Sequence, residues 1–208
     1  MYLNVWLDES LEQIKPILIG THSYNFIIGQ LNQSLKTEGF VFNFKRNTFM
    51  GKNDLAVSGL YDVEKNKKII TIIFSKHFKE FTIKRNFWKR FKFAISQTCQ
   101  HEVIHQCQWA FRTYNTNARY SSRFRFSQGN FKQKIYLSDP DEIEAYAHDI
   151  AMEIKFFYPK RNPYHVLKYA NRFANLWSYQ YYRQTFGKRD WKLIQPRLIR
   201  KTYKWLGA

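Results

Sequence analysis

Negative charge is scarce in this chain. Sixteen Asp and Glu stand against 34 Lys and Arg over 208 residues, a formal net charge of +18. Such an excess makes polyanions the expected partners: nucleic acid, an anionic membrane surface or an acidic protein. Cysteine is rarer still, at two residues, Cys99 and Cys107. Both fall in one helical stretch, where eight residues put their Cα atoms roughly 12 Å apart at ~1.5 Å per residue. A disulfide needs less than about 7 Å, so the two cannot bond to each other. They read as reduced thiols packed as small hydrophobes, which implies a cytoplasmic compartment. Long apolar runs are also missing. The longest, "IITIIF" at 69–74, is too short to span a bilayer. The start, "MYLNVWLDESLEQIK", has neither the basic segment nor the apolar core of a secretory signal. There is no internal repeat and no low-complexity tract.

What the chain does have is apolar and aromatic weight, 44% and 19% of its residues, enough for a core. Residues 8–38 read as helical, with a weak break at Pro16 and Gly20 and a stop at Gly39. Strand patterns follow in "FVFNF" (40–44), "LAVSGLYDV" (55–63) and "IITIIF". The last two flank the polar turn "EKNKK" as a hairpin. A helix is expected over about 87–111, then a polar, basic loop over 112–134. A second helix opens at "DPDEIEAYAHDIAMEIKFF", with Asp139 ahead of Pro140 and acids in the first turn. The remainder is helical, aromatic and basic. The class is α+β: one domain over 1–208, with a helical part to about 40, a core over 40–155 and a basic helical extension over 156–208.

The first of these helices contains "HEVIH", residues 101–105. His101 and His105 at i and i+4 share a face, one turn apart, so two imidazole nitrogens can reach one Zn²⁺ at about 2.0–2.1 Å. Glu102 does not ligate in that geometry. It stands beside the metal as a general base, taking a proton from metal-activated water and passing it to a leaving amine. Val103 and Ile104 help to bury the helix.

A catalytic zinc takes a third protein ligand. The metzincin pattern requires Gly at 108 and His at 111, where this chain has Gln108 and Phe111. Proteases of the SprT type require a His shortly downstream, but the next is His148, 43 residues after His105. A glutamate on the second helix remains. At ~100° per residue, Ile143, Ala147, Ile150 and Ile154 form its buried stripe, flanked by Glu142 and Glu144 on opposite sides. Glu144 shares its edge with the small Ala147 and Ala151 and is the first choice. Glu142, which shares its edge with Tyr146 and Asp149, is the second, and Glu153 is an outsider.

"HEVIH" followed by "EAYAHDIA" resembles gluzincin-type zinc peptidases, above all the minimal ones of the ImmA/IrrE kind, which cleave repressors. Those carry HExxH and then a Glu-x-x-Ala-Asn-x-x-Ala helix. Glu144, Ala147 and Ala151 match that pattern, whereas His148 stands where Asn is usual. The resemblance implies a zincin-like fold, in which a small antiparallel sheet precedes the HExxH helix and a second helix carries a ligand. It covers about 20 residues in two blocks. His148 or Asp149 would then support an imidazole N–H. Tyr120, Tyr136, His148 and Arg119 are the candidate stabilisers of a developing oxyanion.

Lys and Arg interleave with aromatics over 76–92 and 112–134, a pattern suited to phosphate contacts and base stacking, and equally to a solvated amphipathic face. The expected function is a zinc-dependent metallopeptidase acting on a peptide or protein, with Glu102 as its base. The alternative is a basic nucleic-acid-binding or virion-associated structural protein whose metal site is structural or vestigial, docking on nucleic acid or an acidic protein assembly. The Lys-, Asn-, Ile- and Tyr-rich style suits a phage.

Overall fold

The computed structural model describes residues 2–114 and 130–207. It is α+β, with two compact units, Met1–Trp109 and Ala110–Ala208. The division falls inside the HExxH helix.

In the first unit, α1 (Tyr2–Leu18) turns Leu7, Leu11, Ile14 and Leu18 inward, at the three- and four-residue spacing of one helical face. Then α2 (Tyr24–Leu35) starts at Ser23, whose side chain accepts from the Phe26 amide. It buries Tyr24, Ile27, Ile28, Leu31 and Leu35. Between these helices lies a strand, β1 (Gly20–Ser23), where the sequence pattern indicates only a weak break in a helix. Its partner is β5 (Glu80–Ile83), antiparallel, with Thr21 opposite Thr82 and their hydroxyls 2.9 Å apart. Four residues are too few to display alternation. The strand exists because its partner arrives some sixty residues later, supplying the backbone hydrogen bonds.

The main sheet has the order β2-β4-β3. The hairpin of β3 (Ala56–Asp62) with β4 (Lys67–Ser75) is antiparallel, as the sequence implies. However, β2 (Phe40–Asn47) runs parallel to β4, so the sheet is mixed rather than antiparallel. The apolar run "IITIIF" is the central strand, and Ile70, Ile72 and Phe74 are fully buried in it. Strand direction depends on how the chain returns after β2, which residue alternation does not encode.

The HExxH helix, α3 (Trp88–Tyr114), sets Trp88, Phe91, Ile95 and Cys99 into the same core as the sheet and α2. A carboxylate also ties it to α1. Glu12 accepts from Trp88 Nε1 at 3.0 Å and from Lys92 Nζ at 2.7 Å.

The second unit is helical: α4 (Phe131–Ser138), α5 (Pro140–Phe157), α6 (Pro163–Lys168) and α7 (Trp177–Leu206). Thus α4 occupies the end of the stretch read as loop. Asp139 caps α5 by accepting from the Asp141 amide, with Pro140 in the first turn. The stripe Ile143, Ala147, Ile150 and Ile154 is buried as its spacing dictates and shares a core with Leu176, Tyr182, Phe186, Ile194 and Leu198. Gly187 takes φ 64° and kinks α7, a backbone conformation that L side chains seldom adopt. Within this core Lys134 Nζ meets Asp190 Oδ2 at 2.8 Å, both side chains almost wholly buried. Among the described residues, no helix is long and apolar enough to cross a membrane.

Candidate metal centre

The buried stripe of α3 continues past Cys99 to Glu102, three residues on, which points the Glu102 side chain inward. Only 4% of Glu102 is exposed. It lies against β3 at Gly59, where a Cβ would stand 2.6 Å from the Glu102 Cγ, 2.7 Å from Cδ and closer still to Oε1. No real side chain tolerates those separations, so the missing Cβ of Gly59 makes the space that the carboxylate fills. The cue in the sequence is a lone glycine inside the strand pattern "LAVSGLYDV", a mark of close backbone approach.

His101 and His105 lie along the flank beside Glu102. Their ring centroids are 4.8 Å apart and the rings are nearly perpendicular. The Nδ1–H of His105 donates to Gln108 Oε1 at 2.9 Å, which makes Nε2 the ring nitrogen that carries the lone pair. Gln108 matters to the sequence reading only for not being glycine. In the fold it orients an imidazole.

The two thiols differ. Cys99 is fully buried, and burial, reinforced by the negative charge of Glu102, pushes its pKa far above the ordinary thiol range. It is an inert packing group. Cys107 is exposed rather than packed, which departs from the sequence reading, and both cysteines are free. Beyond the motif, Lys68 reaches from β4 to donate to Gln106 Oε1 at 2.8 Å. Burial lowers the pKa of Lys68.

In the second unit the first-choice ligand, Glu144, forms an ion pair with Lys201 of α7. Its carboxylate is therefore neutralised by a cation 57 residues away in sequence. Glu142, the second choice, is buried in the first turn of α5. The small residues beside Glu144 admit the neighbouring α7 with its lysine, which the edge argument from sequence does not foresee. Glu153, the outsider, accepts from the Ser178 amide and hydroxyl, 3.1 and 2.8 Å away. Its negative charge thereby sits at the start of α7, a capping role.

His148 is 9% exposed and packs edge-on against Trp205, with ring centroids 4.8 Å apart. Its Nδ1 is 3.9 Å from Asp149 Oδ1, beyond hydrogen-bond range, and Asp149 is itself buried. Tyr136 is half exposed. Tyr120 and Arg119 lie outside the described residues. No family model, curated protein or solved structure matches this chain.

Proposed function

We propose that this chain is a zinc-dependent metallopeptidase in which His101, His105 and Glu142 hold the metal and Glu102 acts as general base. The observation that carries the reading is Glu102 itself: a carboxylate buried against a strand glycine, next to two imidazoles on one helix face. A helix with incidental histidines has no need of such a cradle. Within α5, Glu144 is engaged by Lys201, whereas Glu142 is buried in the first turn, which makes Glu142 the carboxylate proposed as third ligand. Two imidazole nitrogens and a carboxylate oxygen are the donors of a catalytic zinc, which keeps a position open, rather than of a closed structural one.

When bound by such a set, zinc acidifies water and polarises a carbonyl oxygen. The chain's own residues do the rest. Gln108 fixes the tautomer of His105. Glu102 takes a proton on its carboxylate and delivers it to the leaving amine, completing hydrolysis of a peptide bond. Its burial holds that carboxylate in one place, so little reorganisation is needed at the moment of transfer. Asp149, on the same edge of α5 as Glu142, is the carboxylate suited to take an imidazole N–H. Two free cysteines, one of them exposed, suit a reducing, cytoplasmic setting.

The test is metal content together with cleavage. Purified wild type and Glu102→Gln should each carry about one zinc, and only the wild type should cut unfolded protein substrates. Wild type that takes up no zinc would overturn the proposal.

A further inference from the structure

The second unit has a charge distribution that peptide hydrolysis does not require. Between Lys155 and Lys204 there are 13 Lys and Arg and one acid, Asp190. That acid is 1% exposed and paired with Lys134. Along this stretch, then, the charges that face solvent are positive.

The same stretch contains an open cavity of about 460 Å³, lined by Arg161, Asn162, Tyr164, His165, Lys168 and Tyr203. Local chemistry builds it. Asn162 caps α6 by accepting from the Tyr164 and His165 amides, at 2.9 and 3.2 Å. Val166 and Leu167 of α6 go into the core, which leaves Tyr164, His165 and Lys168 facing outward. Tyr164 stacks on Tyr203 of α7 with ring centroids 5.4 Å apart and planes within 12°. Both tyrosines remain about two-fifths exposed, at 42% and 40%. Beside them Tyr169 holds Lys168 and Arg172 over its ring, at 5.5 and 5.1 Å, and packs against His165.

A merely solvated basic face keeps its aromatics inside and its cations in water. Here tyrosine rings stand open among the cations, and among the described residues no carboxylate lines the cavity. A simple anion would use the cations and leave the rings idle. Duplex DNA would offer backbone phosphates while keeping its bases stacked. Unpaired bases on a phosphate chain use both features, since every base has a face to stack and every nucleotide a charge to neutralise. We propose that this cavity is a binding site for single-stranded nucleic acid, with phosphates on Arg161 and Lys168 and an unpaired base on the Tyr164–Tyr203 pair.

Fluorescence anisotropy of the full chain with a labelled oligo-dT strand tests this, using a duplex of equal length, inorganic polyphosphate and phosphatidylserine vesicles as competitors. Wild type should prefer the single strand. Tyr164→Ala should weaken single-strand binding about tenfold and leave polyphosphate competition unchanged, whereas Tyr164→Phe, which keeps the ring, should bind as wild type. The double change Arg161→Glu with Lys168→Glu should weaken both polyanions more than about tenfold and flatten the salt dependence. Unchanged melting temperatures would establish that the variants are folded. Equal affinity for duplex, or binding indifferent to Tyr164→Ala, would overturn the proposal. Stronger capture by the vesicles, lost in the same variants, would assign the face to a lipid surface instead. Glu102→Gln should bind nucleic acid normally, so failure here and failure of the peptidase reading are separable.

Discussion

Gly59 on β3 and Glu102 on α3 are complementary: the strand lacks a side chain where the helix places a buried carboxylate. Gly59→Ala should therefore displace Glu102 and lower cleavage about 100-fold or more, the range expected when a general base is lost or misplaced. The stability cost should be about 1–3 kcal/mol, as for overpacking elsewhere, with zinc retained. Gly29→Ala is the control, because a Cβ there meets nothing within 4 Å. That change removes a helical glycine and should stabilise by roughly 0.5–1 kcal/mol. Full activity in Gly59→Ala would show that Glu102 does not depend on the cradle.

The two candidate carboxylates of α5 should behave differently under the same substitution. Glu142→Gln should cost zinc affinity more than the roughly 10–100-fold that follows loss of a ligand's supporting hydrogen bond. Glu144→Gln should keep the metal and lose only its pairing with half-exposed Lys201, worth about 1 kcal/mol or less. Competition against a zinc indicator reads both variants. Zinc lost in Glu144→Gln and kept in Glu142→Gln would restore the assignment favoured by the sequence pattern.

Gln108→Leu deletes the acceptor for His105 Nδ1 while leaving every proposed ligand in place. Zinc affinity should fall roughly 10–100-fold. Gln108→Glu, which retains an acceptor oxygen, should preserve it. Equal affinity in all three proteins would reduce Gln108 to a surface residue.

Acid should loosen the α1–α3 junction. The hydrogen bond from Lys92, joined by those from Trp88 and Lys15, holds the Glu12 carboxyl down at about 2 against an ordinary 4.5, although partial burial opposes the shift. Because the folded-state value is depressed, the stabilisation is complete above about pH 4.5 and is lost as pH falls toward 2. Glu12→Gln should destabilise by about 1 kcal/mol near neutrality, a modest figure because water screens this half-exposed group. The gap from wild type should close in acid. Denaturant midpoints measured across pH would reveal it, and a constant gap would mean that the charge is not involved.

How much was legible varies by residue. The HExxH helix, the α5 stripe of Ile143, Ala147, Ile150 and Ile154, and the Asp139 cap were all readable, since each depends on neighbours within a few residues. Gly59 left a trace, a glycine in a strand pattern, but nothing in the pattern says which side chain fills its space. Lys201 left none, and its pairing with Glu144 is a contact that the local case for Glu144 as ligand does not contain.

The sequence by itself determined which residues share a helix face, and with them the juxtaposition of His101, Glu102 and His105. It also determined the one-signed charge of the C-terminal stretch. Tertiary structure decided the rest: the parallel run of β2 beside β4, the β1–β5 pair, the Gly59 cradle, the Lys201–Glu144 pair and the grouping of Tyr164 with Tyr203. The reason is physical. Helix periodicity is set by bonds four residues apart, whereas each of these other contacts joins residues tens of positions apart that only chain return brings together.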